Sequence, residues 1–233
     1  MLAFLAPTAL HLPWLCARAS AAELSVPSTM SRLECRNEKL CLQQSGKAIR
    51  REGRRLIFRS PSGARLVFAD AKNDCQPNDD DEVRCPTYRL RAFNPAAGLA
   101  LVEEKSEPNS FHVVSVRLAK EIVSGPGEAR FSPDGRTVAS LFSSTEVAGQ
   151  DVSIFSFEGN IAKREFDHTV DSFGENGPRT RFGIMEGWIS NTEFKLRFDL
   201  AVEERQQTIG ASVHQREGRW DFVFDPDGPR LKQ

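Results

Sequence analysis

The amino-acid sequence predicts an all-β protein built from repeated antiparallel hairpins. Apolar and polar residues alternate with period two over residues 113–118 and 194–200, which is typical of a sheet with one solvated face. A turn rich in serine, proline and glycine recurs between such segments, and no stretch carries the apolar stripe of an amphipathic helix. The sixteen phenylalanines can fill the space between sheets.

The first 22 residues resemble an export signal. Residues 1–15 are almost wholly apolar, and Ala19-Ser20-Ala21 supplies a small–x–small cleavage pattern, although no cation precedes the apolar run. A buried N-terminal segment is the alternative, whereas a membrane span is disfavoured because the run is short and interrupted by prolines. We therefore expect removal of residues 1–22. The remaining residues, 23–233, should form a single all-β domain that is periplasmic or secreted and has no transmembrane segment.

Four cysteines follow this segment, namely Cys35, Cys41, Cys75 and Cys85. An even number of cysteines after an export signal predicts two disulfides in an oxidising compartment. Three pairings are open, and Cys35–Cys41 with Cys75–Cys85 is favoured because each would close a local loop. The spacings are too long for a zinc knuckle, so no metal site is predicted. Residues 35–42 are expected to form a tight hairpin around a polar turn.

The clearest hairpin pattern spans residues 129–141 and turns at Ser132-Pro133-Asp134-Gly135. Proline presets φ at the second turn position, and glycine supplies the positive φ that closes the turn. The pattern recurs around Pro61 and Pro95, and more faintly at residues 187–196 and 222–228. A repeat of about 40 residues predicts a repeated sheet, with a small or degenerate β-propeller as the leading form and a β-sandwich as the alternative.

Residues 129–141 resemble the repeat of TolB-type and WD40-like β-propellers, whose blades begin with Phe-Ser-Pro-Asp-Gly. Residues 151–159, an aspartate followed by an apolar strand and a small turn, resemble the second half of such a blade. The resemblance implies hairpin blades and a role in binding other proteins. In propellers the C-terminal strand usually closes the first blade, which would pack Trp220 against the N-terminal strands.

Charge patterning restricts the class of partner. A formal net charge of −1 disfavours nucleic-acid binding, which normally requires a strongly basic face. The basic run at residues 47–55 is either a solvated hairpin edge or a patch for an anion or partner. Four consecutive acids, Asp79, Asp80, Asp81 and Glu82, are candidates for docking a basic partner protein. Their spacing lacks the alternation of an EF-hand calcium loop.

One segment offers a candidate for chemistry. Residues 166–178 are predicted to be irregular and contain His168 with Asp171 and Glu175, so His168 could act as a general base. The other histidines of the predicted domain, His112 and His214, lie within predicted strands. No Gly-x-Ser-x-Gly elbow, phosphate-binding loop or dinucleotide fingerprint occurs, and no cofactor is expected.

These observations favour an exported, non-catalytic protein-interaction module of the bacterial envelope, with an inhibitor or immunity protein as its narrower form. A periplasmic hydrolase or lyase on a small propeller, with His168 as the base, is the alternative.

Overall fold

A computed structural model describes residues 33–71, 85–143, 149–171, 179–202 and 205–225. The predicted signal segment, residues 1–22, lies outside these ranges, as do Cys75, Glu175 and the acidic residues Asp79, Asp80, Asp81 and Glu82. Within the described residues no helix is both long and apolar enough to cross a membrane.

The described residues form one short helix and fifteen strands. The elements are α1 (Glu38–Ser45), β1 (Ile49–Glu52), β2 (Arg55–Arg59), β3 (Arg65–Ala69), β4 (Thr87–Asn94), β5 (Leu99–Lys105), β6 (Ser110–Ser115), β7 (Lys120–Pro126), β8 (Glu128–Phe131), β9 (Thr137–Ser143), β10 (Gly149–Glu158), β11 (Ile161–Asp171), β12 (Arg179–Ser190), β13 (Glu193–Val202), β14 (Arg205–Arg216) and β15 (Arg219–Phe224).

Consecutive strands pair into four antiparallel sheets, which confirms the predicted all-β class. The first sheet contains β1–β3, the second β4–β7, the third β8–β11 and the fourth β12–β15, each in meander order. The predicted proline turns join strands as expected: Pro61 lies between β2 and β3, Pro95 between β4 and β5, and Pro133 between β8 and β9. The Pro61 turn joins the last two strands of its sheet, whereas the other two turns join the first pair.

The sheets stack in chain order through three apolar layers. Phe58 and Phe68 of the first sheet pack with Leu90 of the second. A second layer unites Val113 with Phe131 of the third sheet, and the last joins the third sheet to the fourth. None of these layers, within the described ranges, joins the fourth sheet back to the first. The stack is therefore consistent with both a propeller-like arrangement and a β-sandwich.

Residues 35–42 correct one sequence prediction, because they contain most of a helix and not a hairpin. The Asn37 side chain accepts a hydrogen bond from Leu40 N at 3.1 Å and caps α1, which ends at Gly46. Cys41 is fully buried in the first apolar layer. The helix escaped sequence analysis because it is short and polar, with only Cys41 and Ser45 buried.

The predicted Cys35–Cys41 disulfide is confirmed, with a Cα–Cα distance of 5.5 Å. The disulfide links the segment before α1 to the helix, and both cysteines belong to the first apolar layer. Cys85 is also disulfide-bonded. Because Cys75 lies outside the described residues, the Cys75–Cys85 pairing stays a prediction.

Among the described strands, β15 does not join the first sheet, contrary to the expected closure. Instead β15 pairs with β14, and Trp220 packs edge-on against Trp188 at 6.2 Å within the fourth sheet. Glu217 and Gly218 connect the two strands with φ of 51° and 79°. Two successive residues of positive φ form the tight hairpin turn that matches strand twist, so β15 folds back on its immediate neighbour.

The Ser132–Gly135 turn connects three of the four sheets. Gly135 has φ of 68°, as predicted for the residue that closes the turn. The buried Asn94 of the second sheet donates from Nδ2 to Gly135 O at 3.2 Å. On the other side, Asn191 Oδ1 of the fourth sheet accepts from Asp134 N at 3.0 Å. Side-chain hydrogen bonds therefore fix the turns of neighbouring sheets to one another.

Candidate functional site

The structure places His168 in a strand, which corrects the predicted irregular segment over residues 166–171. The β10–β11 ladder continues to the Gly149–Asp171 pair, with Val152 opposite His168. The exposed His168 ring stacks on Phe222 of the fourth sheet, with ring centroids 4.7 Å apart. It therefore contributes to packing between the third and fourth sheets.

The predicted partners of His168 are not brought to it by the described residues. For Asp171 the structure describes the backbone pairing only, and Glu175 lies outside the described ranges. The adjacent Asp167 accepts a hydrogen bond from Ser153 at 2.7 Å and pairs with Arg164 at 3.0 Å. The hydrolase or lyase alternative stays a prediction, because the described residues do not show the side chains of Asp171 and Glu175 beside His168.

A different histidine, His112, occupies a dense polar cluster between the first two sheets. Its Nδ1 is hydrogen-bonded to Glu121 Oε2 at 2.7 Å, and its Nε2 to Glu104 Oε2 at 2.9 Å. The imidazole side chain is only 14% exposed. Because each ring nitrogen is already hydrogen-bonded to a carboxylate, neither nitrogen is free to bind a metal or substrate.

Tyr88, the single tyrosine of the chain, packs beside this histidine. Its ring lies 5.9 Å from His112 and 5.1 Å from Phe68 of the first sheet, measured between centroids. Burial is the main cause that raises the pKa of Tyr88 above its ordinary value of 10.0. The neighbouring negative charges of Glu104 and Asp70 raise it further.

Arg51 ties the same seam to α1. Its guanidinium contacts Glu38 at 2.6 Å and Asp70 at 3.2 Å. These carboxylates also accept backbone hydrogen bonds from β4, Glu38 from Leu90 N at 2.9 Å and Asp70 from Tyr88 N at 2.8 Å. Glu38 and Asp70 are therefore each bonded both to Arg51 and to the backbone of β4. This group of three side chains, here called the polar joint, orients the second sheet on the first.

Grouped carboxylates and histidines do not form a metal centre in the described part of the chain. No three His, Cys, Asp or Glu side chains there are arranged to hold a metal ion. In the His112 cluster the two carboxylates lie on opposite ring nitrogens, so the three groups share no common point for a cation.

The opposite end of the seam between the first two sheets opens into a cavity of about 430 Å³, here called the cationic groove. The turn ends of both sheets form it. Its apolar lining includes Phe93 at the end of β4 and Val116 after β6, together with Pro61 and Pro95 from two of the predicted turns. The groove therefore has an apolar floor at the level of the loops.

Three exposed cations, Lys47, Arg59 and Arg117, line this groove, and no carboxylate of the described residues does. None of the three is ion-paired within the described chain. Arg117 is held in place, because Nη2 donates to Ala96 O at 3.1 Å and its stem crosses Gly98. A Cβ at Gly98 would lie 2.9 Å from Arg117 Nε, and the φ of 67° at Gly98 independently favours glycine.

The basic run at residues 47–55 was predicted to be either a solvated hairpin edge or a patch for an anion or partner, and its residues differ in location. Arg51 is internal to the polar joint, and Arg50 pairs with Glu52 at 2.7 Å on the surface. Lys47 contributes to the groove. Sequence analysis missed the groove because Arg59 and Arg117 are distant in sequence and meet only when the sheets stack.

Comparison with known protein families and with curated proteins matched none of them. The site is therefore interpreted from its own geometry. It consists of a structural polar joint at one end of the seam and an open cationic groove at the other.

Proposed function

We propose that the mature chain is an exported, non-catalytic protein-interaction module of the bacterial envelope that binds its partner at the cationic groove. The observation that carries this proposal is an open apolar groove bordered by three exposed cations, none of which has a carboxylate partner among the described residues. An apolar centre with a charged border is the usual composition of a protein-binding patch. An inhibitor or immunity protein is the narrower form of this function.

The scaffold around the groove supports a binding role. The polar joint fixes the second sheet on the first, so the loops that form the groove are held by packed strands and not by one another. A preorganised surface loses little conformational entropy on binding, which favours affinity. The Cys35–Cys41 disulfide is compatible with an oxidising compartment, and the TolB-type resemblance of residues 129–141 agrees with a binding scaffold.

The experiment is affinity capture from the host's envelope extract by the mature, oxidised protein. The groove variant Arg59→Glu is compared with Arg219→Glu, a charge reversal at an exposed position of the β14–β15 hairpin. We expect one stoichiometric protein that wild type and Arg219→Glu retain and Arg59→Glu loses. An empty capture from an extract with intact complexes would contradict the proposal, as would equal capture by both variants.

The acidic residues predicted as a docking element are tested separately. Replacing Asp79, Asp80, Asp81 and Glu82 together with serine should weaken binding of the captured partner and leave the melting temperature nearly unchanged. Unaltered affinity would remove these four residues from the interface and leave the groove as the proposed binding surface.

A further inference from the structure

We infer that the cationic groove binds an acidic peptide segment that places an apolar side chain on the groove floor. This inference rests on the proposed interaction function and names the chemistry of the partner. Three cations line one cavity, and none of its described lining residues is a carboxylate, so the groove is electrostatically complementary to a segment that carries carboxylates.

The cations differ in how firmly they are placed. Arg117 lies across Gly98 and donates a hydrogen bond to Ala96 O, whereas no hydrogen bond of the Lys47 or Arg59 side chain occurs within the described residues. Lys47 lies in the loop before β1 and Arg59 ends β2 of the first sheet, whereas Arg117 follows β6 of the second sheet. A carboxylate-bearing segment lying across the groove would therefore contact both sheets and bridge the seam.

The apolar floor of the groove favours a ligand that carries an apolar side chain in addition to its carboxylates. Phe93 and Val116 are buried beneath the groove, with Pro61 and Pro95 exposed at its border. An apolar side chain seated on this floor would exclude water from the surrounding ion pairs and strengthen them. A peptide fits this groove better than an acyl chain does. Turn residues of both sheets form the groove at the surface, so an extended peptide segment can pass across it.

The test selects random peptides displayed on phage against the oxidised wild-type protein, with counter-selection on the double variant Lys47→Glu/Arg117→Glu. We expect enrichment of peptides that combine Asp or Glu with an aromatic or branched aliphatic residue. The affinity of an enriched peptide is then measured by fluorescence anisotropy at several salt concentrations. A matched peptide with Asn and Gln in place of the acids is measured alongside it, and oleate is tested as a competitor.

The double variant should bind the enriched peptide at least about tenfold more weakly, and binding should weaken as salt rises. Arg117→Lys keeps the charge and should retain more affinity than Arg117→Glu, whereas Arg219→Glu should bind like wild type. Circular dichroism confirms that each variant is folded. Lys47 and Arg117 are both exposed, but Arg117→Glu also removes the hydrogen bond to Ala96 O, so the thermal stability of each variant is compared with that of wild type.

Three results would overturn the inference: no enrichment, enrichment of basic or uncharged peptides, or equal binding by the Asn and Gln peptide. Stronger binding of oleate than of any peptide would reassign the groove to an anionic amphiphile. Failure of the interaction function has a different outcome, because capture from the envelope extract would then yield no partner. A partner whose capture survives Lys47→Glu/Arg117→Glu would show that the protein binds a partner elsewhere, and would refute the acidic-peptide site at the groove.

Discussion

Replacing Asn94 with alanine should destabilise the protein by breaking the contact between the second and third sheets. Asn94 is only 4% exposed, and both ends of its amide are used. Nδ2 donates to Gly135 O at 3.2 Å, and Oδ1 accepts from Ala97 N at 3.1 Å. Alanine removes both hydrogen bonds and leaves a carbonyl and an N–H without these partners.

The expected loss follows from these two bonds. A net contribution of about 1 kcal/mol for each bond, increased by the unsatisfied buried groups, predicts a loss of about 2–3 kcal/mol in the free energy of unfolding. For a chain of this length that corresponds to a fall of about 4–12 °C in melting temperature. Asn191→Ala is the matched control, because Asn191 makes the corresponding contact to Asp134 N from an exposed position. It should cost no more than about 1 kcal/mol.

Urea denaturation measures both variants. Circular dichroism follows all strands, while tryptophan fluorescence reports on the fourth sheet through Trp188 and Trp220. We expect the Asn94→Ala midpoint to fall well below that of Asn191→Ala. If Asn94→Ala stayed within about 0.5 kcal/mol of wild type, or matched Asn191→Ala, the turn contact would not stabilise the stack and the reasoning would be refuted.

Three further predictions test the seam between the first two sheets. Phe58 is fully buried, so Phe58→Ala should lower the free energy of unfolding by about 3–5 kcal/mol in urea denaturation, and Phe58→Leu by clearly less; equal losses would contradict the packing argument. Absorbance at 295 nm should show that Tyr88 of the folded protein ionises above pH 10.0, and Glu104→Gln should shift this titration to lower pH. Because the folded pKa is raised, the free energy of unfolding should fall only as pH rises past the pKa of the unfolded state. An unshifted titration in Glu104→Gln would refute the electrostatic contribution of Glu104. Replacing Cys35 and Cys41 with alanine should cost the oxidised protein about 2 kcal/mol in the free energy of unfolding from lost chain restriction, measured against oxidised wild type in urea; an unchanged midpoint would contradict this.

Local patterns predicted the strands and turns of this protein well. Alternation identified the segment that became β13, and the proline turns at Pro61, Pro95 and Pro133 connect strands as expected. The alternating residues 113–118 lie in β6 only up to Ser115, and residues 113–116 are all buried, so the predicted solvated face is wrong there. Helix α1 was missed because its stability depends on the Asn37 cap and on burial of Cys41 and not on an apolar stripe. The irregular segment after residue 166 was wrong up to Asp171 because pairing with β10 extends the ladder there.

The candidate sites show the limit of sequence proximity. His168 was selected because acids lie near it in sequence, yet its ring stacks on Phe222. His112 lies within a strand, and its carboxylate partners Glu104 and Glu121 come from the two neighbouring strands of the second sheet. Their meeting depends on register, which residue spacing alone does not specify.

The sequence by itself determined the all-β class, the hairpin turns and the Cys35–Cys41 disulfide, because each depends on residues close together in the chain. Tertiary structure decided which sheet β15 joins, where His112 finds its partners and that Lys47, Arg59 and Arg117 line one groove. These features require sheets to stack on one another. The stacking free energy comes from apolar burial, which is non-directional, so the pairing of faces is selected by packing over the whole molecule.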